Sequence, residues 1–201
     1  STILQHMNTI KPLEKKLKIL FLYPNLNMST LVPNAISILS AVLKADGFNN
    51  IDLFDTTFYQ AEEDSKDTDR IKAGQVQPFN FEERGIKLKQ SDMRQDFIKK
   101  VDEFNPDVIY ASIVEDTFPI FIDFMELIED RKISVLAGGV FPTSAPEIVA
   151  RLSYVDYLCR GEGEGAIVDL SNALEEDQDP SGIPNLWVKK ENGKIAKNKI
   201  S

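Results

Sequence analysis

An open, doubly wound α/β sheet is the fold class predicted by three features of this sequence. Short apolar runs bounded by turn residues alternate with helical patterns. Each apolar run is too short to cross a membrane. Two of the runs close on small residues, in Ala111-Ser112-Ile113-Val114 and Leu136-Ala137-Gly138-Gly139-Val140. Alternation of this kind builds parallel strands with helices packed over them. Small residues at a strand end let backbone come close to a ligand.

Leu17 to Tyr23 reads as the first buried strand, being short, largely apolar and followed by Pro24-Asn25. Pro33 to Gly47 predicts a helix with Ile36, Leu39, Val42 and Leu43 on one side and Gly47 as its stop. Ile51 to Phe54 is the second strand. A long polar insert follows, Asp55 to Gln90, carrying Phe58, Tyr59, Phe79 and Phe81. A loop of that length is expected to be a lid, an interface segment or partly disordered. Ser91-Asp92 caps a helix with Phe97, Ile98, Val101 and Phe104 on one face, and Pro106 blocks its continuation.

Asp107 to Val114 is the third strand, Phe118 to Asp130 a helix, and Ile133 to Ala137 the fourth strand. Ser144-Ala145-Pro146-Glu147 has capping-box spacing and predicts a helix from there to about Leu152. Val155 to Cys159 is the fifth strand, leading through Arg160-Gly161-Glu162-Gly163-Glu164 into a helix to about Glu175. Asn192-Gly193, between Val188 and Ile195, predicts a small hairpin in the tail.

Composition narrows the function classes. The 201 residues allow one good core, and the net charge of −9 disfavours a broad phosphate-binding surface, so no nucleic-acid partner is expected. No membrane partner is expected either. A single cysteine, Cys159, excludes an internal disulfide framework and a complete iron–sulfur ligand set, which fits a reducing cytoplasm. Ser1 to His6 before Met7 reads as an expression remnant, which would put the one histidine, His6, outside the native protein. Neither a catalytic residue nor a metal ligand is expected in this chain.

Five β-α units give a flavodoxin-like (Rossmann-like) five-stranded parallel sheet with helices on both faces, plus the small C-terminal hairpin. In such folds ligands bind beyond the carboxyl ends of the strands. The loops to inspect are then 24–32, 112–117, 138–143 and 160–164. A dinucleotide site needs glycines in the first of these, and Tyr23 to Pro33 contains none. A phosphorelay receiver needs carboxylates there, and Tyr23-Pro24-Asn25 offers none. Flavin mononucleotide, with Ser29 and Thr30 as phosphate donors, lacks the same glycines.

The remaining pattern resembles the cobalamin (vitamin B12)-binding domain. In that family the third strand ends in a Ser-x-Leu type motif, here Ser112-Ile113-Val114, and the fourth in a Gly-Gly pair, here Gly138-Gly139. More closely, the chain resembles the N-terminal domain of radical SAM enzymes. The matching residues are Tyr23-Pro24-Asn25 with Pro33, Gly138-Gly139-Val140-Phe141-Pro142-Thr143 with Pro146-Glu147, and Val155-Asp156-Tyr157 running into Arg160 to Glu164.

The resemblance implies a cofactor-binding set of Asn25, Leu26, Asn27, Ser112, Ile113, Val114, Gly138, Gly139, Val140, Phe141, Gly161, Glu162 and Gly163. The glycines would line a slot for the nucleotide tail, the Ser112 hydroxyl would hydrogen-bond its base, and amides after Gly163 would meet polar corrin groups or the tail phosphate. It also implies residues 15–176 as the cobalamin domain, 1–14 as a tag remnant and N-terminal tail, the 55–90 insert as a cover over the corrin or a substrate surface, and 177–201 as a connector. That connector would lead to a C-terminal radical SAM domain of the same protein, which would hold S-adenosylmethionine and the [4Fe–4S] cluster. The Cys-x-x-x-Cys-x-x-Cys motif that would ligate the cluster is absent here.

One departure bears on mechanism. Many relatives carry Asp-x-His-x-x-Gly after the first strand, with the histidine on cobalt, whereas this loop reads Pro24-Asn25-Leu26-Asn27-Met28-Ser29. The expectation is base-off binding without a protein imidazole, suited to methyl transfer or a related radical reaction. A free-standing corrinoid methyl carrier and a flavodoxin-like interaction domain without cofactor are the alternatives. Each site residue also has a purely structural reading. Ser112 can be a small strand-end residue and Gly138-Gly139 a tight turn. Thr143 and Ser144 can be helix caps, Glu162 and Glu164 can complement a helix dipole, and Asn25 and Asn27 are turn formers. Cys159 reads as a buried hydrophobe.

Overall fold

A computed structural model describes residues 14–25, 33–59, 73–74, 83 and 85–201. Five strands lie parallel: β1 (Ile19–Tyr23), β2 (Ile51–Asp55), β3 (Val108–Ser112), β4 (Ser134–Gly138) and β5 (Tyr157–Cys159). Their order is β2-β1-β3-β4-β5, with the switch point between β1 and β3. The hairpin strands, β6 (Leu186–Lys189) and β7 (Ile195–Lys197), do not stand apart. They continue the same sheet antiparallel to β5, so the expected five parallel strands and C-terminal hairpin together form one sheet of seven strands. The physical reason is the edge of β5, whose backbone would otherwise present unpaired donors and acceptors. Gly193, at φ +76°, closes the hairpin as Asn192-Gly193 predicts.

Period-two alternation divides the core between the two faces of the sheet. Ile19, Phe21, Val108, Tyr110, Leu136 and Cys159 face one side, against α1 (Asn34–Ala45) and α6 (Glu164–Glu175). Leu20, Leu22, Ile109, Ala111, Val135, Ala137 and Leu158 face the other. There they meet α2 (Met93–Phe104) and α3 (Phe118–Leu127), where Phe97 stacks on Phe124 at 4.5 Å. Asp92 caps α2 by accepting from Arg94 N and Gln95 N.

The segment after β4 departs from the expected pattern. A short helix absent from the sequence reading, α4 (Val140–Ser144), precedes α5 (Pro146–Val149). Ser144 does not cap α5, because its hydroxyl donates to Phe141 O within α4 at 3.1 Å and no side chain caps the next helix. Helix α3 also ends at Leu127, and Glu129–Arg131 forms a 3-10 turn.

Asp156 starts the β4–β5 pairing. Its Oδ2 accepts from Val135 N at 2.9 Å and its own amide donates to Val135 O at 3.0 Å. Burial raises the carboxyl above the ordinary aspartate range, against the Val135 N–H and the Lys189 ammonium, which lower it. The folded state therefore binds this proton more tightly than the unfolded one. The contribution of Asp156 to stability is fullest below the ordinary aspartate pKa and declines as pH rises through the raised value. Asp156→Asn keeps an oxygen for Val135 N–H and has no carboxyl to titrate. Between about pH 4 and pH 7 its urea midpoint, relative to wild type, is expected to improve as pH rises. Parallel midpoint profiles for the two proteins would remove Asp156 from this role.

Candidate functional site

Three strands deliver their ends to one place. Ser112 and Gly138 are register partners across β3 and β4, and Cys159 ends β5 beside them. On the face toward α1 and α6 the side chains shrink along each strand toward its carboxyl end. Tyr110 gives way to Ser112, Leu136 to Gly138, and Cys159 to Gly161. The helices stay in place while the strands thin, so a cleft of about 370 Å³ opens between them. Its floor is Phe21, Tyr110 and Leu136, all nearly inaccessible. Ile36 and Leu39 of α1 and Ile167 of α6 form its walls, and Ser112, Gly138, Gly139, Gly161, Glu162 and Gly163 form its upper part. That volume lies within the range of small-molecule and cofactor sites.

The two glycines do different work. Gly139 sits at φ +104°, ψ −169°, and a Cβ there would lie 2.7 Å from Ile113 O and 2.8 Å from Ile113 N. Its bareness is required by the chain itself: Ile113 N donates to Gly138 O at 2.8 Å, and Phe141 N donates to Ile113 O at 3.1 Å. The nearest atoms to a Cβ on Gly138 would be Cys159 Cβ at 3.6 Å, Ala111 O at 3.8 Å and Leu136 Cδ2 at 4.0 Å, which are ordinary contacts. Protein packing therefore gives no reason for glycine at 138. The cleft it faces is what a side chain there would fill.

The loops after β4 and β5 are tied together through Thr143, which sequence reasoning took for a helix cap. Its hydroxyl donates to Gly139 O at 2.8 Å and accepts from Gly161 N at 3.1 Å. A second brace comes from Asn185, buried before β6 and not singled out in the sequence. Its Nδ2 donates to Glu162 O at 3.0 Å, and its carbonyl accepts from Arg160 N at 2.9 Å. Asn185 lies 23 residues from Glu162 in sequence, and no local pattern marks it as a partner of that loop.

Not every expected residue gathers at the cleft. Ile113 is fully buried in the opposite core and joins the site through its backbone, and Phe141 packs on Phe118 at 4.6 Å on that same side. Val114 and Val140, which follow the two strand ends, are 46% and 71% exposed. Asn25 is buried, with its amide N donating to Thr56 Oγ1 at 2.7 Å and its Nδ2 to Thr57 Oγ1 at 2.9 Å. It thereby fastens the loop after β1 to the end of β2. Leu26 and Asn27 lie outside the described residues, as do His6 and most of the 55–90 insert. The described ends of that insert meet: Tyr59 bridges Lys89, and the Tyr59 hydroxyl donates to Asp96 at 2.8 Å.

Electrostatics hold the Cys159 thiol of the cleft in its neutral form. Burial, and secondarily the Glu164 carboxylate, push the Cys159 thiol up to about 11, so it is a neutral thiol at physiological pH. The Tyr110 phenol is also raised by burial. Among the described residues no cluster of three His, Cys, Asp or Glu is placed to hold a metal ion. No helix among them is long and apolar enough to cross a membrane.

The geometry separates the two glycines experimentally. Gly139→Ala is expected to lower unfolding stability by about 2–4 kcal/mol in urea titrations, through the positive φ and the clash with Ile113. Gly138→Ala should stay within about 0.5 kcal/mol of wild type. Equal losses in both variants would contradict the assignment.

Residues 29–171 match the family described as the B12 binding domain. No curated protein gives a significant match. Among solved structures, the radical S-adenosylmethionine methyltransferase TsrM from Kitasatospora setae, with cobalamin and a [4Fe–4S] cluster bound, is similar with 18% identity and a TM-score of 0.67. That alignment covers 94% of this chain and 30% of TsrM. The cobalamin-dependent S-adenosylmethionine radical enzyme OxsB, with aqua-cobalamin and S-adenosylmethionine bound, is similar with 17% identity and a TM-score of 0.65, over 92% of this chain and 22% of OxsB. At these identities the likeness is one of fold, and the chain spans less than a third of either enzyme's length.

Proposed function

Because the chain belongs to the B12-binding domain family, we propose that it is the cobalamin-holding module of a radical S-adenosylmethionine enzyme. One observation carries the reading toward the cofactor: the side-chain-poor cleft at Ser112 and Gly138, whose bareness at Gly138 protein packing does not require. A nucleotide tail entering there would run between α1 and α6 over a floor of Phe21, Tyr110 and Leu136. Ser112 Oγ would donate to the nitrogen of its base. Gly161 and Gly163 keep the rim open, and the first amides of α6, after Gly163, suit the tail phosphate. Glu162 holds the rim through its carbonyl, bonded to Asn185. Val114 and Val140 offer exposed apolar surface to the corrin, and the backbone of Ile113 and Phe141 fixes the loops beneath it.

Bound cobalamin supplies a cobalt centre able to carry a methyl group. Among the described residues no imidazole is present to reach that metal, and the chain's one histidine is His6. The chain would hold the cofactor with its own base drawn into the cleft, and Asn25, Leu26 and Asn27 complete the proposed binding set. In this reading residues 15–176 bind the cofactor, and residues 177–201 connect to a radical domain while widening the sheet through β6 and β7. S-adenosylmethionine and the [4Fe–4S] cluster would belong to that domain, because one cysteine cannot ligate a cluster. Methyl transfer is the parent reaction this favours.

Hydroxocobalamin mixed with the protein is expected to co-elute with it on gel filtration in a 1:1 ratio. Ser112→Ala should weaken binding about fivefold, the effect of one hydrogen bond of about 1 kcal/mol. Gly138→Val should abolish retention of colour while keeping the wild-type urea midpoint. An electron paramagnetic spectrum of the Co(II) form should lack nitrogen superhyperfine splitting. Its presence would refute base-off binding, and absence of any retained corrinoid would refute the cofactor assignment.

A further inference from the structure

The cleft is short of uncommitted hydrogen-bonding groups. Tyr110 Oη lies 2.6 Å from Ser171 Oγ, and Ser171 donates its own proton to Ile167 O at 2.6 Å, so the phenol proton goes to Ser171. The Cys159 thiol, neutral and 3.9 Å from Glu162 O, is turned to that carbonyl. Four backbone groups of the loops are committed in the same way. Gly138 O accepts from Ile113 N, Gly139 O from Thr143 Oγ1, and Glu162 O from Asn185 Nδ2, while Gly161 N donates to Thr143. The carboxylates of Glu162 and Glu164 belong to the rim, Glu162 exposed and Glu164 at the first turn of α6. Phe21, Tyr110, Leu136 and Ile167, each at most 3% exposed, make the depth apolar. Among the described residues lining that depth, the Ser112 hydroxyl is the side-chain group with no protein partner.

On the premise of the cobalamin reading, we propose that this cleft selects corrinoids by their lower base, accepting a benzimidazole or phenolic base and rejecting a purine. A benzimidazole held away from cobalt is a flat, mostly apolar bicycle with one uncommitted ring nitrogen, and one hydroxyl, Ser112 Oγ, is present to meet it. A phenolic base has no ring nitrogen at all and needs only the apolar walls. Adenine adds an exocyclic amine and further ring nitrogens, each of which would leave water without finding a partner. Buried polar groups left unpaired are the strongest source of discrimination available to a site of this kind, stronger than a difference of a methyl group.

The test is a visible-spectrum titration, checked by equilibrium dialysis, of the wild-type chain with four corrinoids: hydroxocobalamin, its adenine-based analogue, its p-cresol-based analogue, and cobinamide, which lacks the nucleotide tail. Cobalamin and the p-cresol form are expected to bind at least ~10-fold more tightly than the adenine form, with cobinamide weak. Ser112→Ala should weaken cobalamin and leave the p-cresol form unchanged, because only the former has a nitrogen for the hydroxyl. Leu39→Gln, which places an amide on a half-buried wall position, should narrow the gap between cobalamin and the adenine form. Equal or tighter binding of the adenine form overturns the proposal while the cobalamin reading stands. Equal binding of all four, cobinamide included, overturns it by removing the tail from the cleft. Failure of every corrinoid to bind would instead overturn the cobalamin reading itself.

Discussion

The contact between Gly139 and the backbone of Ile113 is the constraint on which the rest of the site depends. With no Cβ at 139, the chain leaving β4 folds onto the chain leaving β3, and Ile113 can both donate to Gly138 O and accept from Phe141 N. This pins the two strand ends level and turns α4 toward the face of α2 and α3. The opposite face, toward α1 and α6, is left open above Ser112 and Gly138. Thr143 extends the same fixture to β5 by linking Gly139 O to Gly161 N, so three strand ends form one rigid rim. Preorganisation of this kind lowers the ordering cost of taking up a ligand.

The cleft itself is a product of a size gradient within a regular alternation. One face of the sheet carries Phe21, Tyr110 and Leu136 at mid-strand and then Ser112, Gly138 and Cys159 at the ends. The helices above rest on the bulky middle and cannot collapse onto the small ends. The opposite face has no such gradient: Ile109, Ala111 and Ile113 continue into a dense core with Phe97, Phe121 and Phe124. At the carboxyl ends of the strands, space between layers is therefore left on one side of the sheet and filled by core side chains on the other.

The tail has a structural part in the site beyond linking domains. Strand β6 seals the edge of β5, and Asn185, at its start, holds the Glu162 carbonyl and accepts from Arg160 N. Trp187 on the same strand carries two cations, Arg160 5.1 Å and Lys197 4.3 Å from its ring centroid. Lys197 also pairs with Glu147, so the rim after β5 and the helix α5 are both connected to the hairpin. A sheet of five strands would leave the Gly161-Glu162-Gly163 loop without these supports.

The alternation of strands and helices was legible in the sequence because buried strands and amphipathic helices write their periods into the chain, and all five parallel strands lie where those periods put them to within a few residues. The Ser112 and Gly138-Gly139 motifs were legible because small residues at the end of an apolar run are unusual. Several features required the folded chain. The hairpin joined the sheet because an unpaired edge on β5 needed a partner, and nothing local in Leu186 to Lys197 specifies that partner. Helix α4 formed where a capping box pointed to a later start, because Gly139 and Ile113 fix its first turn across two strands. The distinction between Gly138, bare toward a cleft, and Gly139, bare toward its own chain, is invisible in a Gly-Gly pair, since it depends on which atoms each missing Cβ would meet. Local pattern specified the elements and marked the strand ends; contacts between residues distant in sequence decided which of those ends hold one another and which face remains open.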